Sequence, residues 1–268
     1  MLGFYLLSLF GIIISITASA LILLYVYQEK LIFINGKKIE SDYTYQFTNN
    51  FEELFVSTDG KNRINALHFK LKKPKGVVLY CHGNKGNLKK WGERVSYFLK
   101  YNIEVLVFDY RNYGKSTGKF NEKEMYQDAL KVYDYLKKKY DEDNIIVYGF
   151  SLGCTFATKI AVNNKPKELV LEAPFYNLKS AVKYKNSYLP TWLLKYKFET
   201  EKELKKVESP ISVFHGNKDK VTFIEDSKKL LATNKNDSNR YIEIKEATHN
   251  NCSTFNRYQK NLKEVIDR

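Results

Sequence analysis

The first 28 residues contain no charged side chain. The apolar run from Gly3 to Tyr27 is longer than the about 20 residues that a helix needs to cross a bilayer. A cleaved signal peptide is the alternative, because Ala18-Ser19-Ala20 resembles a cleavage site. However, no basic segment precedes the run, and the run continues past that site. We therefore predict an uncleaved membrane anchor over residues 1–28, with Tyr25 and Tyr27 at the membrane interface.

The charges that flank the predicted anchor indicate its orientation. Lys30, Lys37 and Lys38 follow it, whereas only the α-amino group precedes it. By the positive-inside rule, a single-pass protein of this kind places its large domain in the cytosol. An odd number of cysteines agrees with a reducing compartment and indicates small buried residues rather than disulfides. The cysteines are Cys81, Cys154 and Cys252.

Beyond residue 50, apolar runs alternate with amphipathic segments, of which Glu122 to Tyr140 is the clearest helix. Such alternation predicts an α/β fold with a mostly parallel sheet flanked by helices. Asp59-Gly60 predicts a hairpin between the first two strands. We expect a linker over residues 29–50 and one catalytic domain over residues 51–268. The predicted strands are Phe51–Ser57, Ile64–Leu71, Val77–Cys81, Ile103–Asp109, Ile145–Tyr148, Glu168–Glu172, Ile211–His215 and Tyr241–Lys245.

The chain of 268 residues is basic, with 44 Lys and Arg against 30 Asp and Glu and a formal charge of +14. This balance favours anionic partners, and we expect the basic surface to contact membrane lipids. Nucleic-acid binding is disfavoured because no arginine-rich arm or zinc-finger spacing is present. The four histidines do not have metal-ligand spacing, so we predict no metal. No organic cofactor or obligate protein partner is indicated.

A Gly-x-Ser-x-Gly pattern, Gly149 to Gly153, directly follows the apolar run Ile145–Tyr148. A strand that ends in this pattern turns tightly into a helix and presents the central serine at the top of the sheet. A serine at a helix start is also favoured simply as a cap. For Ser151 alone the two interpretations are equally supported.

A nucleophilic serine needs a base, and the base needs a carboxylate that fixes its tautomer. His249 and Asp219 each follow a separate predicted strand, in the order Ser–Asp–His that α/β-hydrolases use. Each residue alone is usually a polar surface or turn residue. Together with Ser151 they predict a catalytic triad. Glu172, at the end of another strand, is the alternative acid.

A tetrahedral intermediate also needs backbone N–H donors for its oxyanion. Leu152 follows the serine at the helix start and is predicted to supply one donor. The loop CHGNKGN follows the strand Val77–Cys81, and its glycines let the backbone approach the site. Asn84 is predicted to supply the second N–H.

These motifs resemble the α/β-hydrolase superfamily, and within it the membrane-anchored, Bem46-like branch often described as serine aminopeptidase S33-type. The resemblance covers about residues 50 to 268 and includes YCHGNKGN, FDYRNYGKSTG, YGFSLG, LEAPF, FHGNKDKV and ATHNN. It implies Ser151 as nucleophile, Asp219 as acid and His249 as base, with Asp109 and Arg111 bracing loops near the site. The sequence departs from the family pattern where glycines are common. The departures are Asn112, Ala247 and Thr248.

The stretch from about residue 176 to 208 is long enough for a small cap over the site. Its aromatic segment is predicted either to pack on the domain or to grip an acyl chain beside an anionic bilayer. The candidate contacts are Trp192, Leu193 and Tyr196. We predict a membrane-anchored serine hydrolase acting on an acyl ester or thioester of a small molecule or lipid. A serine peptidase of the S33 type and a non-catalytic, membrane-tethered binding module are the alternatives.

Overall fold

The computed structural model describes residues 1–36 and 38–268. Eight strands form one sheet in the order β1-β2-β4-β3-β5-β6-β7-β8. The pairs β1–β2 and β2–β4 are antiparallel, and the other five pairs are parallel. The mostly parallel sheet predicted from the alternating pattern is confirmed. The strands are β1 Phe51–Ser57, β2 Arg63–Phe69, β3 Val77–Cys81, β4 Glu104–Phe108, β5 Ile145–Phe150, β6 Glu168–Glu172, β7 Ile211–Gly216 and β8 Arg240–Ile244.

Helices follow most of the parallel strands. The α-helices are α1 Leu2–Ile32, α2 Leu88–Val95, α3 Glu122–Lys137, α4 Gly153–Asn163, α5 Leu178–Lys185, α6 Thr200–Leu204, α7 Ile224–Leu231 and α8 Asn256–Asp267. Short 3₁₀ helices occur at Ser96–Tyr101, Glu142–Asn144, Thr191–Leu193 and Cys252–Thr254. Helix α3 ends three residues before the predicted limit.

Alternate residues of each strand point to opposite faces of the sheet, and a buried apolar cluster lies on each face. In β3, Val77 and Leu79 pack in the cluster with α3 and α4, whereas Val78 and Tyr80 pack in the cluster with α2 and α8. The turn before β2 is held by Asp59, whose carboxylate accepts the N–H groups of Lys61 and Asn62. The predicted hairpin is therefore present.

Helix α1 is long and apolar enough to cross a membrane, and its apolar side chains are mostly exposed in the isolated chain. It extends through Ile32, four residues beyond the predicted anchor. Its end packs against the globular part: Gln28 is only 4% exposed. Phe33 lies in the core, where its ring stacks on Phe120 at 4.2 Å between centroids. The helix is thus joined to the domain without a free segment after its last turn.

Candidate active site

Ser151 sits on a sharp turn between β5 and α4. Its φ is +53°, a left-handed conformation that is strained for a residue with a side chain. Its N–H donates to the carbonyl oxygen of Glu172, which holds the turn against β6. A Cβ at Gly149 would lie 2.5 Å from Cys154 Cα, and a Cβ at Gly153 would lie 1.9 Å from Cys81 O. Both glycines are therefore required by close backbone approach.

Two hydrogen bonds join the three residues of the predicted triad. His249 Nε2 lies 3.1 Å from Ser151 Oγ, and His249 Nδ1 lies 2.7 Å from Asp219 Oδ2. All three residues are at least nine-tenths buried. Ser151, Asp219 and His249 follow β5, β7 and β8, so the carboxyl ends of three parallel strands bring them together. This spacing lets an imidazole accept the hydroxyl proton while a carboxylate holds its other nitrogen.

The carboxylate of Asp219 is bound on both oxygens. Oδ1 accepts the backbone N–H groups of Val221 and Thr222, and Oδ2 accepts the Thr222 hydroxyl at 2.8 Å in addition to facing His249. His215 Nε2 lies 3.2 Å from the same oxygen. Burial alone would raise the pKa of Asp219, but the hydrogen bonds from His215, His249 and the backbone outweigh it. Its pKa lies far below the ordinary value, so the group stays ionised.

Glu172, the alternative acid, bonds elsewhere. Its carboxylate accepts the hydroxyl of Tyr148, which in turn lies 2.6 Å from the hydroxyl of Tyr258. Its Oε1 lies 3.9 Å from the guanidinium of Arg94. Burial raises the pKa of Glu172, although Arg94 and Tyr148 act in the opposite direction. Within residues 1–36 and 38–268 it makes no hydrogen bond to His249, and the geometry favours Asp219.

The two predicted oxyanion donors face one cavity. Leu152 and Asn84 both line it together with Ser151 and His249. In the described part of the chain, neither backbone N–H has an acceptor. Two N–H groups without a protein partner beside a serine hydroxyl are suited to bind a ligand oxygen.

A buried histidine orients one of these donors, which the sequence analysis did not foresee. His82 Nδ1 lies 2.6 Å from Gly83 O and must carry the proton, because a carbonyl oxygen only accepts. In a trans peptide the carbonyl and the following N–H point in opposite directions, so this bond turns the Asn84 N–H away from His82. Asp109 Oδ1 lies 3.2 Å from His82 Nε2. The His-Gly pair at the end of β3 is the sequence feature that could have indicated this role of His82.

Arg111 and Asp109 occupy the loop after β4, where the resemblance implied a bracing role. The Arg111 guanidinium bonds to Asp59, Glu124 and Asp128, so it ties this loop to the hairpin and to α3. Asn112 has φ +61°, the left-handed region in which asparagine replaces glycine at modest cost. The departure from the family pattern at this position therefore leaves the turn intact.

The cavity has a volume of about 480 Å³ and opens beside Ser151. One side is apolar and is formed by the end of α1 and by α5. Its residues are Leu31, Ile32, Ile34, Phe175, Leu178, Ala181 and Val182. The lining also includes Trp91, Phe150 and four cationic side chains, of which Lys185 lies at the end of α5. Helix α5 falls within the predicted cap.

The three candidate cap contacts lie elsewhere. Trp192 is 75% exposed, and none of the three is among the described residues that line the cavity. Leu193 O accepts a hydrogen bond from Gln28, and the Tyr196 hydroxyl donates to Glu29 at 2.8 Å. Leu193 and Tyr196 thus bond to the end of α1 in this structure, and the acyl-chain contact of the three residues stays a prediction.

Among the described residues, no group of three or more His, Cys, Asp or Glu side chains is placed to hold a metal ion. The three cysteines are free and buried. Burial raises the pKa of each thiol, and a protonated thiol is a poor nucleophile. This leaves Ser151 as the nucleophile candidate in the cavity.

Comparisons with known proteins agree with this architecture. A family model described as serine aminopeptidase, S33, matches residues 72–198, which include Ser151 and Asn84 but neither Asp219 nor His249. The protein R595 of Acanthamoeba polyphaga mimivirus is 27% identical over 242 residues, 81% of this chain and 82% of that protein. The lysophosphatidylserine lipase ABHD12 of Macaca fascicularis is 28% identical over 180 residues, 58% of this chain. The chain matches only 44% of the length of that lipase.

A solved structure of the Pyrococcus furiosus esterase Pf2001 has a TM-score of 0.70 at 21% identity, covering 87% of this chain and 99% of that chain. At this identity the likeness shows the fold. The fold is that of the α/β-hydrolases, and the family model and the relatives support the α/β-hydrolase superfamily. The protein is an esterase- and lipase-like hydrolase, and the membrane-anchored, Bem46-like branch is consistent with its relatives.

Proposed function

We propose that this protein is a single-pass, membrane-anchored serine hydrolase that cleaves an acyl ester or thioester. Ser151 is the nucleophile, His249 the base and Asp219 the acid that orients the base. The observation that carries the proposal is the pair of hydrogen bonds from Ser151 Oγ through the His249 ring to Asp219 Oδ2. Nucleophile, base and orienting acid are thus within hydrogen-bond reach of one another.

In the first half of the reaction, Ser151 Oγ attacks the carbonyl carbon and its proton passes to His249 Nε2. The tetrahedral oxyanion accepts the N–H groups of Leu152 and Asn84. Asp219 stabilises the imidazolium that has formed. The bond to the leaving group then breaks, the proton passes from Nε2 to the leaving alcohol or thiol, and an acyl-enzyme remains on Ser151.

In the second half, water takes the place of the leaving group. His249 removes a proton from the water, and the resulting oxygen attacks the acyl carbon in the same oxyanion site. Breakdown releases the carboxylic acid and returns the proton to Ser151. Each step uses side chains and backbone groups of this chain.

An acyl substrate is supported by the apolar side of the cavity, which would cover the chain of a fatty acid. The names of the lipase and esterase relatives point to the same class of substrate. The S33 description raises the alternative of an aminopeptidase. Such an enzyme must bind an α-ammonium group, but among the described residues lining the cavity there are cations and no Asp or Glu. Ester cleavage is therefore favoured.

We further propose that residues 1–28 anchor the protein and that residues 51–268 form the catalytic domain on the cytosolic side. The lysines that follow the span support this orientation. The segment 29–50 connects the two, and the region of about residues 176–208 acts as a small cap through α5. Full-length protein with a cysteine placed in the domain, tested with a membrane-impermeant thiol reagent on intact cells, checks the side: labelling without lysis would contradict it.

The ester assignment is tested by comparing matched substrates. Full-length protein in detergent is given two substrates with the same chromophore. One is its dodecanoyl ester, and the other is its aminoacyl amide, which carries no dodecanoyl chain. We expect hydrolysis of the ester and its loss in Ser151→Ala. Preferential cleavage of the amide would favour the peptidase, and cleavage of neither would favour the binding module.

A further inference from the structure

Four cationic side chains are among the described residues that line the cavity: Lys85, Lys90, Arg94 and Lys185. Lys85 lies in the loop that carries Asn84, and Lys90 and Arg94 lie on one side of α2, four residues apart. No Asp or Glu is among the described residues that line the cavity. The cavity is therefore amphipathic, with apolar and positively charged side chains around Ser151.

Lys85 and Lys90 lack the carboxylate partners that some other lysines of the chain have. Lys159, Lys202 and Lys228, for example, each form an ion pair with a glutamate. Within residues 1–36 and 38–268, Lys85 and Lys90 form no ion pair, whereas Arg94 pairs with the buried Glu172 at 3.9 Å. What distinguishes Lys85 and Lys90 from the other unpaired lysines is their place at the cavity beside Ser151.

The charges are also close to one another and to the triad. Burial together with the neighbouring charges of Arg94 and Lys85 lowers the pKa of Lys90. The Arg94 guanidinium lies over the Phe150 ring at 4.4 Å from its centroid, and that ring lies 5.1 Å from the His249 ring. Repulsion among these cations would be relieved by an anion bound between them.

We propose that Lys85, Lys90 and Arg94 form an anion-binding subsite next to Ser151, which selects single-chain acyl amphiphiles with an anionic headgroup. The acyl chain lies against the end of α1 and α5, and the headgroup lies against α2. This inference rests on the proposed function for its acyl specificity, but the anion site is a property of the cavity alone. Because α1 forms part of the apolar wall, the chain of a membrane lipid enters where the anchor leaves the bilayer.

The test uses two lipids that differ only in phosphate: 1-oleoylglycerol 3-phosphate and 1-oleoylglycerol, in the same non-ionic micelles with full-length protein. We expect kcat/KM to be at least about tenfold higher for the phosphate-bearing lipid. The double variant Lys85→Gln, Lys90→Gln should lose about tenfold on that lipid and change less than about twofold on the neutral one. Lys89→Gln is the matched control, since its ammonium lies over the Tyr43 ring at 3.9 Å and does not line this cavity.

Binding separates the subsite from catalysis. In Ser151→Ala, Trp192→Phe protein, Trp91 is the remaining tryptophan of the two in the chain, and it lines the cavity. Its fluorescence should respond to the phosphate-bearing lipid at about tenfold lower concentration than to the neutral lipid, and Lys85→Gln, Lys90→Gln should abolish this difference. Equal binding of both lipids, or selectivity unchanged by the double variant, would overturn the anion subsite. Selective binding without hydrolysis by the wild type would overturn the proposed function and leave the subsite standing.

Discussion

Replacing Asp219 by asparagine changes one atom of the site, and the structure indicates how the new side chain would lie. Oδ1 accepts two backbone N–H groups, at 2.7 Å from Val221 and 3.0 Å from Thr222, so an asparagine keeps its oxygen there. The amide NH₂ then takes the position of Oδ2, which is 2.7 Å from His249 Nδ1. Because an amide nitrogen only donates, Nδ1 must accept and the ring proton moves to Nε2. That nitrogen then donates toward Ser151 and is no longer available as a base.

The size of the effect follows from two losses. A carboxylate about 4 Å from the imidazolium charge contributes about 4 kcal/mol at an effective dielectric constant of about 20. This corresponds to about three powers of ten in rate. The wrong tautomer of His249 lowers the rate further. We expect an overall decrease in rate of about 10³- to 10⁴-fold, as for the same change in serine proteases.

The assay is the hydrolysis rate of a chromogenic dodecanoyl ester at neutral pH, with thermal denaturation as a check of folding. Glu172→Gln serves as the control, because its carboxylate bonds to Tyr148 rather than to His249. It should retain activity within about threefold. A folded Asp219→Asn enzyme whose hydrolysis rate is within tenfold of the wild-type rate would refute the assignment of Asp219 as the acid. A folded but inactive Glu172→Gln enzyme would indicate that Glu172 is the acid instead.

Three further predictions concern stability, each followed by thermal denaturation of the full-length protein. Gly153→Ala requires Cys81 O to retreat from 1.9 Å to at least 3.0 Å. This substitution should lower the free energy of unfolding by about 1–3 kcal/mol or more and lower Tm by several degrees. The control Gly11→Ala, where no atom lies within 4 Å of the added Cβ, should leave Tm unchanged. Phe33→Ala should cost about 3–5 kcal/mol, because the ring is buried where α1 joins the domain; an unchanged Tm would contradict that packing. Burial raises the pKa of Glu172 in the folded protein above its value in the unfolded chain. As the pH rises above about 4.5, Glu172 therefore ionises first in the unfolded chain, and the free energy of unfolding of the wild type falls. Glu172→Gln should remove that loss, and an identical pH dependence in both proteins would argue against it.

Most of the strands were predictable because they are short runs rich in apolar residues that end in turn residues. Residues 51–57, 77–81 and 168–172 form strands with the predicted limits. The position of Ser151 follows from local chemistry as well, since two glycines at fixed spacing permit only a tight turn. The strand ends then determine which side chains meet, and Asp219 and His249 meet the serine without any local signal of their own.

Contacts between distant segments were not predictable in this way. The hydrogen bonds from Gln28 to Leu193 and from Tyr196 to Glu29 join residues about 165 positions apart, and composition gives no register for such pairs. An aromatic, lysine-containing stretch suits a lipid contact and a helix contact equally well. The orientation of the Asn84 N–H by His82 likewise depends on one ring rotamer, which the sequence does not specify.

The central claim is that Ser151 is an activated nucleophile, and labelling by a fluorophosphonate tests it most directly. Full-length protein in detergent, with α1 intact, is treated with the probe beside Ser151→Ala protein of equal thermal stability. The account predicts rapid, stoichiometric labelling of the wild type and none of the variant. Labelling that persists in Ser151→Ala, or a folded wild type that does not react, would contradict it.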